Sequence, residues 1–224
     1  TLNHLNIKPF QPLLLSIADK FQPNEASAAM KMLISLGVRL LIASSTRTGS
    51  VEEPLSKAAN CVYLGTIKNP KELKKELKNI IPNDEQFQQA FERATVSKSS
   101  LARYYLRSLE IATKKQPDPW FIPNDDKETI NLEHVLPEKP MKNWPHFTPE
   151  TVDTYCRRIG NLALLKVKSN SDLKSTDFET KKKVYKDSSY LLTSQIASEN
   201  KWTEDQINNR QKSLAKHALM AWPI

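Results

Sequence analysis

Four glycines in a chain of 224 residues leave few places where the backbone can turn tightly through positive φ. That scarcity argues against a protein of many hairpins and for one built mainly of helices. The apolar spacing agrees. Leu13, Leu14, Leu15, Ile17, Ala18 and Phe21 follow Pro12, and after Pro23-Asn24-Glu25 a helical period runs through Met30, Leu33, Ile34, Leu40 and Leu41. Asn69-Pro70-Lys71-Glu72 reads as a helix start, with Asn as cap, Pro in the first turn and Glu placed for the dipole. Pro82-Asn83-Asp84-Glu85 begins another helix, with Phe87 and Phe91 one turn apart. Ser99 or Ser100 caps a third, which carries Leu101, Tyr105, Leu106 and Leu109 on one face. Such stripes are core rather than ligand boxes.

The segment 117–128 changes character: it holds Pro117, Pro119, Pro123 and the acidic Asn124-Asp125-Asp126. It reads as a linker between a helical domain over 1–116 and a second domain over 129–224. In that second part, Thr129 to Leu136 and Leu162 to Val167 are β-branched and apolar runs of strand length. Between them, 138–158 reads as a long loop containing Pro140, Pro145 and Pro149. From about Ser171 the chain turns helical through Phe178 and Tyr185 to Ile196, and Thr203 caps a last helix ending near Trp222-Pro223. The expected class is mainly α with a small α+β core.

Targeting signals are not evident. No run of about 18 apolar residues exists to span a membrane, and the first twenty residues lack the layout of a signal peptide. Cys61 and Cys156 lie far apart and in no Cys-x-x-Cys pair, which argues against a cysteine-rich zinc site and suits a reducing cytoplasm. The chain opens on Thr1 rather than Met and reads as an excised or processed piece of a longer protein.

A formal charge of +8 and a pI near 9.3 favour an anionic partner, nucleic acid first. The basic excess is local. Arg157, Arg158, Lys166, Lys168, Lys174, Lys181, Lys182, Lys183 and Lys186 face only Asp172, Asp177 and Glu179 in the same stretch. Around it stand three polar groups in order: Glu133-His134-Val135-Leu136-Pro137, then Arg158-Ile159-Gly160-Asn161-Leu162, then Ser169-Asn170. Phosphodiester hydrolysis needs an activated water and charge stabilisation on the phosphate. The His134 imidazole can act as general base. Glu133 and Asn170 offer hard oxygen donors suited to one Mg²⁺ or Mn²⁺. Asn161, after Gly160, can bond backbone across the loop and so orient the histidine. Arg158, Lys174 and Lys181 are the candidate phosphate contacts.

Adjacent strand residues point to opposite faces, so Glu133 and His134 can share a site only if the chain bends there. Pro137 stands where that bend is wanted. Each piece also has a plainer reading: a hydrogen-bonded Glu-His pair, a turn opening a strand, a solvated lysine face. Their order and spacing within a basic segment raise the joint reading above its parts.

The C-terminal half resembles the HNH-type nuclease domain at the C-terminus of GmrSD-type, modification-dependent (type IV) restriction enzymes. The likeness rests on the three motifs above, Leu164-Leu165, Phe178 with Lys181 and Tyr185, Trp202, Ile207, Arg210 and Ala221-Trp222-Pro223. Upstream, Pro82 to Phe87 and Ala102 to Leu106 are similar to the helices preceding that nuclease, so the resemblance spans nearly the whole chain. It implies a helical domain followed by a ββα-metal core and C-terminal helices. It implies too a metal-dependent DNA endonuclease or nickase acting on phage or modified DNA, governed by an N-terminal nucleotide-hydrolysing module. This chain carries no Gly-rich phosphate loop, as expected of a piece without that module. Glu133 stands where the commoner pattern has Asp, and no cysteine pairs brace the hairpin, so helix packing must replace a zinc staple. The alternative is a basic DNA- or partner-binding module whose hairpin no longer cuts.

Overall fold

Asn69 opens a helix as its position predicts. Its side chain accepts from the Glu72 amide at 3.0 Å, while the Glu72 carboxylate accepts from the Lys68 amide at 2.7 Å. Asn83 and Gln86 make a reciprocal pair at 2.8 and 3.0 Å around the next helix start. The computed structural model describes residues 8–43, 50–114, 130–166, 173 and 175–224. Among these the chain is mainly helical, with a single two-stranded antiparallel sheet. It divides into two compact units: residues up to Ala90 together with Trp222–Ile224, and Phe91–Ala221.

The first unit holds α1 (Gln11–Lys20), α2 (Pro23–Ile42), α3 (Glu52–Tyr63), α4 (Pro70–Glu76) and most of α5 (Asp84–Phe91). Helix α1 packs along α3, and Phe10, Leu13, Ile17, Leu33, Leu36, Leu55 and Val62 fill the space between elements. Arg39 is buried there and satisfied. It donates to the carbonyls of Trp222 and Pro82 at 3.0 and 3.1 Å and pairs with Asp84 at 2.6 Å.

The second unit is built on α6 (Ser99–Lys114), β1 (Ile130–His134), α7 (Pro149–Tyr155), β2 (Leu162–Lys166), α8 (Phe178–Lys186), α9 (Leu191–Ser194) and α10 (Glu204–Ala221). Helix α6, expected to close a helical domain ending at 116, falls with the hairpin, because it packs on both strands and on α10. The proline-rich segment read as a linker lies outside the described residues.

The register pairs Ile130 with Lys166, Leu132 with Leu164 and His134 with Leu162. Asn131, Glu133, Ala163 and Leu165 therefore share one face. Ala163 and Leu165 on that face join a core with Trp144, Phe147, Val152, Phe178, Tyr185, Trp202 and Ile207. Phe178 stacks on Trp202 with ring centroids 5.6 Å apart. Aromatic packing braces the hairpin where a zinc staple is absent from the sequence.

One expectation fails in this unit. The stretch 138–158 is not simply loop: Thr148 caps α7 by accepting from the Thr151 amide, and Pro149 sits in the first turn. Pro149, placed within that loop by the sequence reading, is a helix starter. Helix α8 begins at Phe178, where Asp177 accepts from the Thr180 amide at 2.9 Å and fixes the cap; the helical start read near Ser171 lies outside the described residues. No helix among the described residues is long and apolar enough to cross a membrane.

Candidate active site

The loop that follows β1 is pinned by one side chain. Asn161 is fully buried at the end of a 3-10 turn, Ile159–Asn161, that leads into β2. Its Oδ1 accepts from the Leu136 amide at 2.8 Å and from the Trp202 indole at 3.0 Å. Its Nδ2 donates to the carbonyls of Leu136 and Cys156 at 2.8 and 3.0 Å. The Asn161 carbonyl takes the Val135 amide at 3.0 Å. All four side-chain positions for hydrogen bonding are used. A buried amide with every position filled is a local clamp, and it grips the two residues after His134.

His134 ends β1 opposite Leu162. It is half-buried, and no described residue hydrogen-bonds its ring. Burial pushes its pKa below the usual imidazole value. The Glu138 carboxylate opposes that shift, while Lys181 and Arg157 add to it. The ring is therefore neutral at pH 7 and able to accept a proton.

Glu133 is placed differently from its sequence reading. Strand pairing continues regularly through His134, so the bend needed to bring both side chains to one site is not made. The Glu133 carboxylate lies on the opposite face, nearly buried, and its Oε1 accepts from Lys181 Nζ at 2.6 Å and Tyr185 Oη at 2.9 Å. Desolvation raises its pKa, against the pull of Lys181 and Tyr185. As a metal ligand it would first have to surrender this ion pair. Lys181 has no exposed surface, and its ammonium also donates to the His134 carbonyl at 2.7 Å. It is thereby withdrawn from the phosphate-contact role read for it.

Arg158 is likewise committed inside the unit. Its guanidinium donates to Gln211 Oε1 at 2.9 Å, to the Glu92 carbonyl at 2.7 Å and to Asn208 Oδ1 at 3.2 Å. These bonds fix the chain entering the Asn161 turn and leave little of the group for DNA. Asn170 and Lys174 lie outside the described residues. Among those described, no group of three or more His, Cys, Asp or Glu side chains is placed to hold a metal ion. With Glu133 paired to Lys181, the described residues do not by themselves compose a metal centre.

Two residues shape the turn that sequence reasoning left without a role. Gln211 accepts from the Gly160 amide at 3.1 Å and donates to the carbonyls of Phe91 and Ala94 at 2.7 and 2.9 Å. Arg210 donates to the carbonyls of Gly160 and Leu162 at 2.6 and 2.8 Å, and burial lowers its pKa to about 10. Consecutive polar residues on a helix with a buried stripe were the available signal. Lys181 and Tyr185, one turn apart on α8, carried a similar one.

Gly160 is required by space. A Cβ there would stand 2.3 Å from the Ile207 carbonyl oxygen and 2.8 Å from Gln211 Cβ. Gly160→Ala is expected to lower stability by about 1–3 kcal/mol, read as a drop in the urea midpoint at constant slope.

Residues 81–217 match the family described as GmrSD restriction endonucleases, C-terminal domain. The match takes in more than half of the chain, from just before α5 into α10, and the chain belongs to that family. The first 80 residues lie outside it, so the match is shorter than the resemblance read from sequence. A comparison with curated proteins gives no significant match.

Proposed function

We propose that this chain is the DNA-cutting part of a restriction system: a metal-dependent endonuclease or nickase whose general base is His134. The observation that carries the reading is the clamp around the histidine. A neutral, half-buried imidazole stands at a strand end whose following residues are held by Asn161. The order strand, strand, helix over β1, β2 and α8 supports an HNH-like, ββα-metal core. Membership of the GmrSD family supports the restriction setting. Sensing of phage or modified DNA, control by an N-terminal nucleotide-hydrolysing module and a cytoplasmic location come with that setting.

His134 takes the proton from the attacking water. Mg²⁺ or Mn²⁺ is the proposed cofactor, supplying charge stabilisation at the phosphate when bound. Of the ligands read from sequence, Glu133 is held in an ion pair with Lys181, and Asn170 lies outside the described residues.

The test is a supercoiled-plasmid assay with Mg²⁺ or Mn²⁺ against an EDTA control. Metal-dependent nicking or linearisation is the expected result. DNA binding without any cleavage, by folded protein supplied as the full-length chain, would instead establish the binding module.

With Arg158 and Lys181 engaged internally, phosphate contacts fall to other cations. Lys166 and Lys183 are exposed and line one surface cleft with Ser188, Ser189 and Asp187. The double substitution K166E/K183E is expected to weaken duplex binding and reduce the slope of log K against log salt. Each lost contact should take away about 0.9 of slope, as fluorescence anisotropy would show.

A further inference from the structure

We propose that Glu133, Lys181 and Tyr185 act together as positioning residues for His134, and that neither Glu133 nor Lys181 contacts metal or phosphate. This inference rests on the reading of His134 as the base. Lys181 and Tyr185 are four residues apart on α8 and reach the same carboxylate oxygen, at 2.6 and 2.9 Å. The Lys181 ammonium spends a second proton on the His134 carbonyl at 2.7 Å. So α8 is fastened to the main chain of the histidine itself.

Counted along the backbone, the consequence is sharper. The His134 carbonyl is held by Lys181, the Val135 amide by the Asn161 carbonyl, and both polar groups of Leu136 by the Asn161 side chain. Consecutive main-chain groups from 134 to 136 are thus fixed, from α8 on one side and from the turn before β2 on the other. The imidazole itself stays unbonded among the described residues, which suits a base that must meet a water.

Competing roles fit the same geometry poorly. A phosphate contact needs an ammonium that solvent can reach, and Lys181 has none of its side chain exposed. A metal ligand needs open lone pairs toward the site of the base. Glu133 points to the other face of the hairpin, and its Oε1 already accepts two short bonds. An ion pair this deep is geometrically demanding, and it loses its function when either partner goes.

The experiment compares Lys181→Met, Glu133→Gln, the double variant E133Q/K181M and Tyr185→Phe with wild type. Plasmid-nicking kinetics, Mn²⁺ binding by calorimetry and circular dichroism are measured on each. Lys181→Met is expected to lower kcat roughly 10- to 100-fold with KM for DNA little changed, because the base is misplaced while DNA contacts persist. Glu133→Gln is expected to bind Mn²⁺ as wild type does. The double variant buries no unpaired charge, so it should fold even if Lys181→Met does not, and should still cut slowly. Tyr185→Phe should lower kcat by a smaller factor in a protein of native fold.

A raised KM with unchanged kcat, in Lys181→Met or in the double variant, would make Lys181 a phosphate contact and overturn the proposal. So would loss of Mn²⁺ binding in folded Glu133→Gln, or a folded double variant that cuts at the wild-type rate. Equal nicking by His134→Ala and wild type would instead overturn the underlying assignment of the base. A dead His134→Ala beside a fully active double variant would sink the positioning inference alone.

Discussion

His134→Ala is expected to cut DNA roughly 10²–10⁴-fold more slowly than wild type while folding normally. Both halves of that expectation come from its surroundings. The ring is half-buried and hydrogen-bonded by no described residue, so its removal orphans no described partner. The backbone bonds that hold the loop run through the carbonyl and through neighbouring residues, and alanine keeps them. The same variant should bind duplex DNA nearly as well as wild type. A parallel loss of binding would place His134 at the DNA surface and not in the chemistry.

The pH profile gives an independent check with a definite sign. Only the neutral imidazole accepts a proton, so the rate must fall as pH drops through the histidine pKa. Burial holds that pKa below 6.5, outweighing Glu138. The acid limb of the rate profile is therefore expected with its midpoint below 6.5 and a slope of one. A midpoint clearly above 6.5 would mean that an anion stabilises the imidazolium in the working complex.

Much of this fold was legible in sequence because it depends on short-range chemistry. Asn69, Asn83 and Thr203 mark helix starts that local capping bonds then realise. The two strands emerge within a residue or two of their apolar runs. What could not be read was which charges meet across the fold. Lys181 and Glu133 are 48 positions apart, and nothing in either neighbourhood announces that one will bury the other. A lysine within Lys181-Lys182-Lys183 looks like solvated surface, yet the helical period turns Lys181 inward with Tyr185 while Lys183 stays exposed. Arg158 misled for the same reason: a cation beside a candidate site suggests a phosphate, whereas its partners Gln211 and Glu92 lie 53 and 66 positions away. The error over Pro149 was of another kind. There the signal was local and present, with Thr148 before the proline, and three prolines in one stretch masked it.

Asn161→Ala is expected to be the most damaging single change to the fold of this unit. It strips partners from the Leu136 amide and carbonyl, the Cys156 carbonyl and the Trp202 indole at a position with no solvent exposure. Each buried group left unsatisfied costs about 1–3 kcal/mol, and relaxation makes the sum less than additive. A loss on the order of 4 kcal/mol is a large part of the roughly 5–15 kcal/mol that holds an ordinary domain together. Urea denaturation should show it as a much lower midpoint, and cleavage per folded molecule should fall as well, since the clamp behind His134 is gone. Asn161→Asp separates shape from bonding. It keeps the acceptor but aims a carboxylate at two carbonyls, so burial and repulsion raise its folded pKa above the unfolded value. The folded state then binds the proton more tightly, and the variant gains stability as pH falls toward the ordinary carboxylate range. Asn161→Ala has no such titration. Stability of Asn161→Asp that is flat between about pH 7 and 4 would mean the loop had rearranged around the substitution, and that other bonds hold the residues after His134.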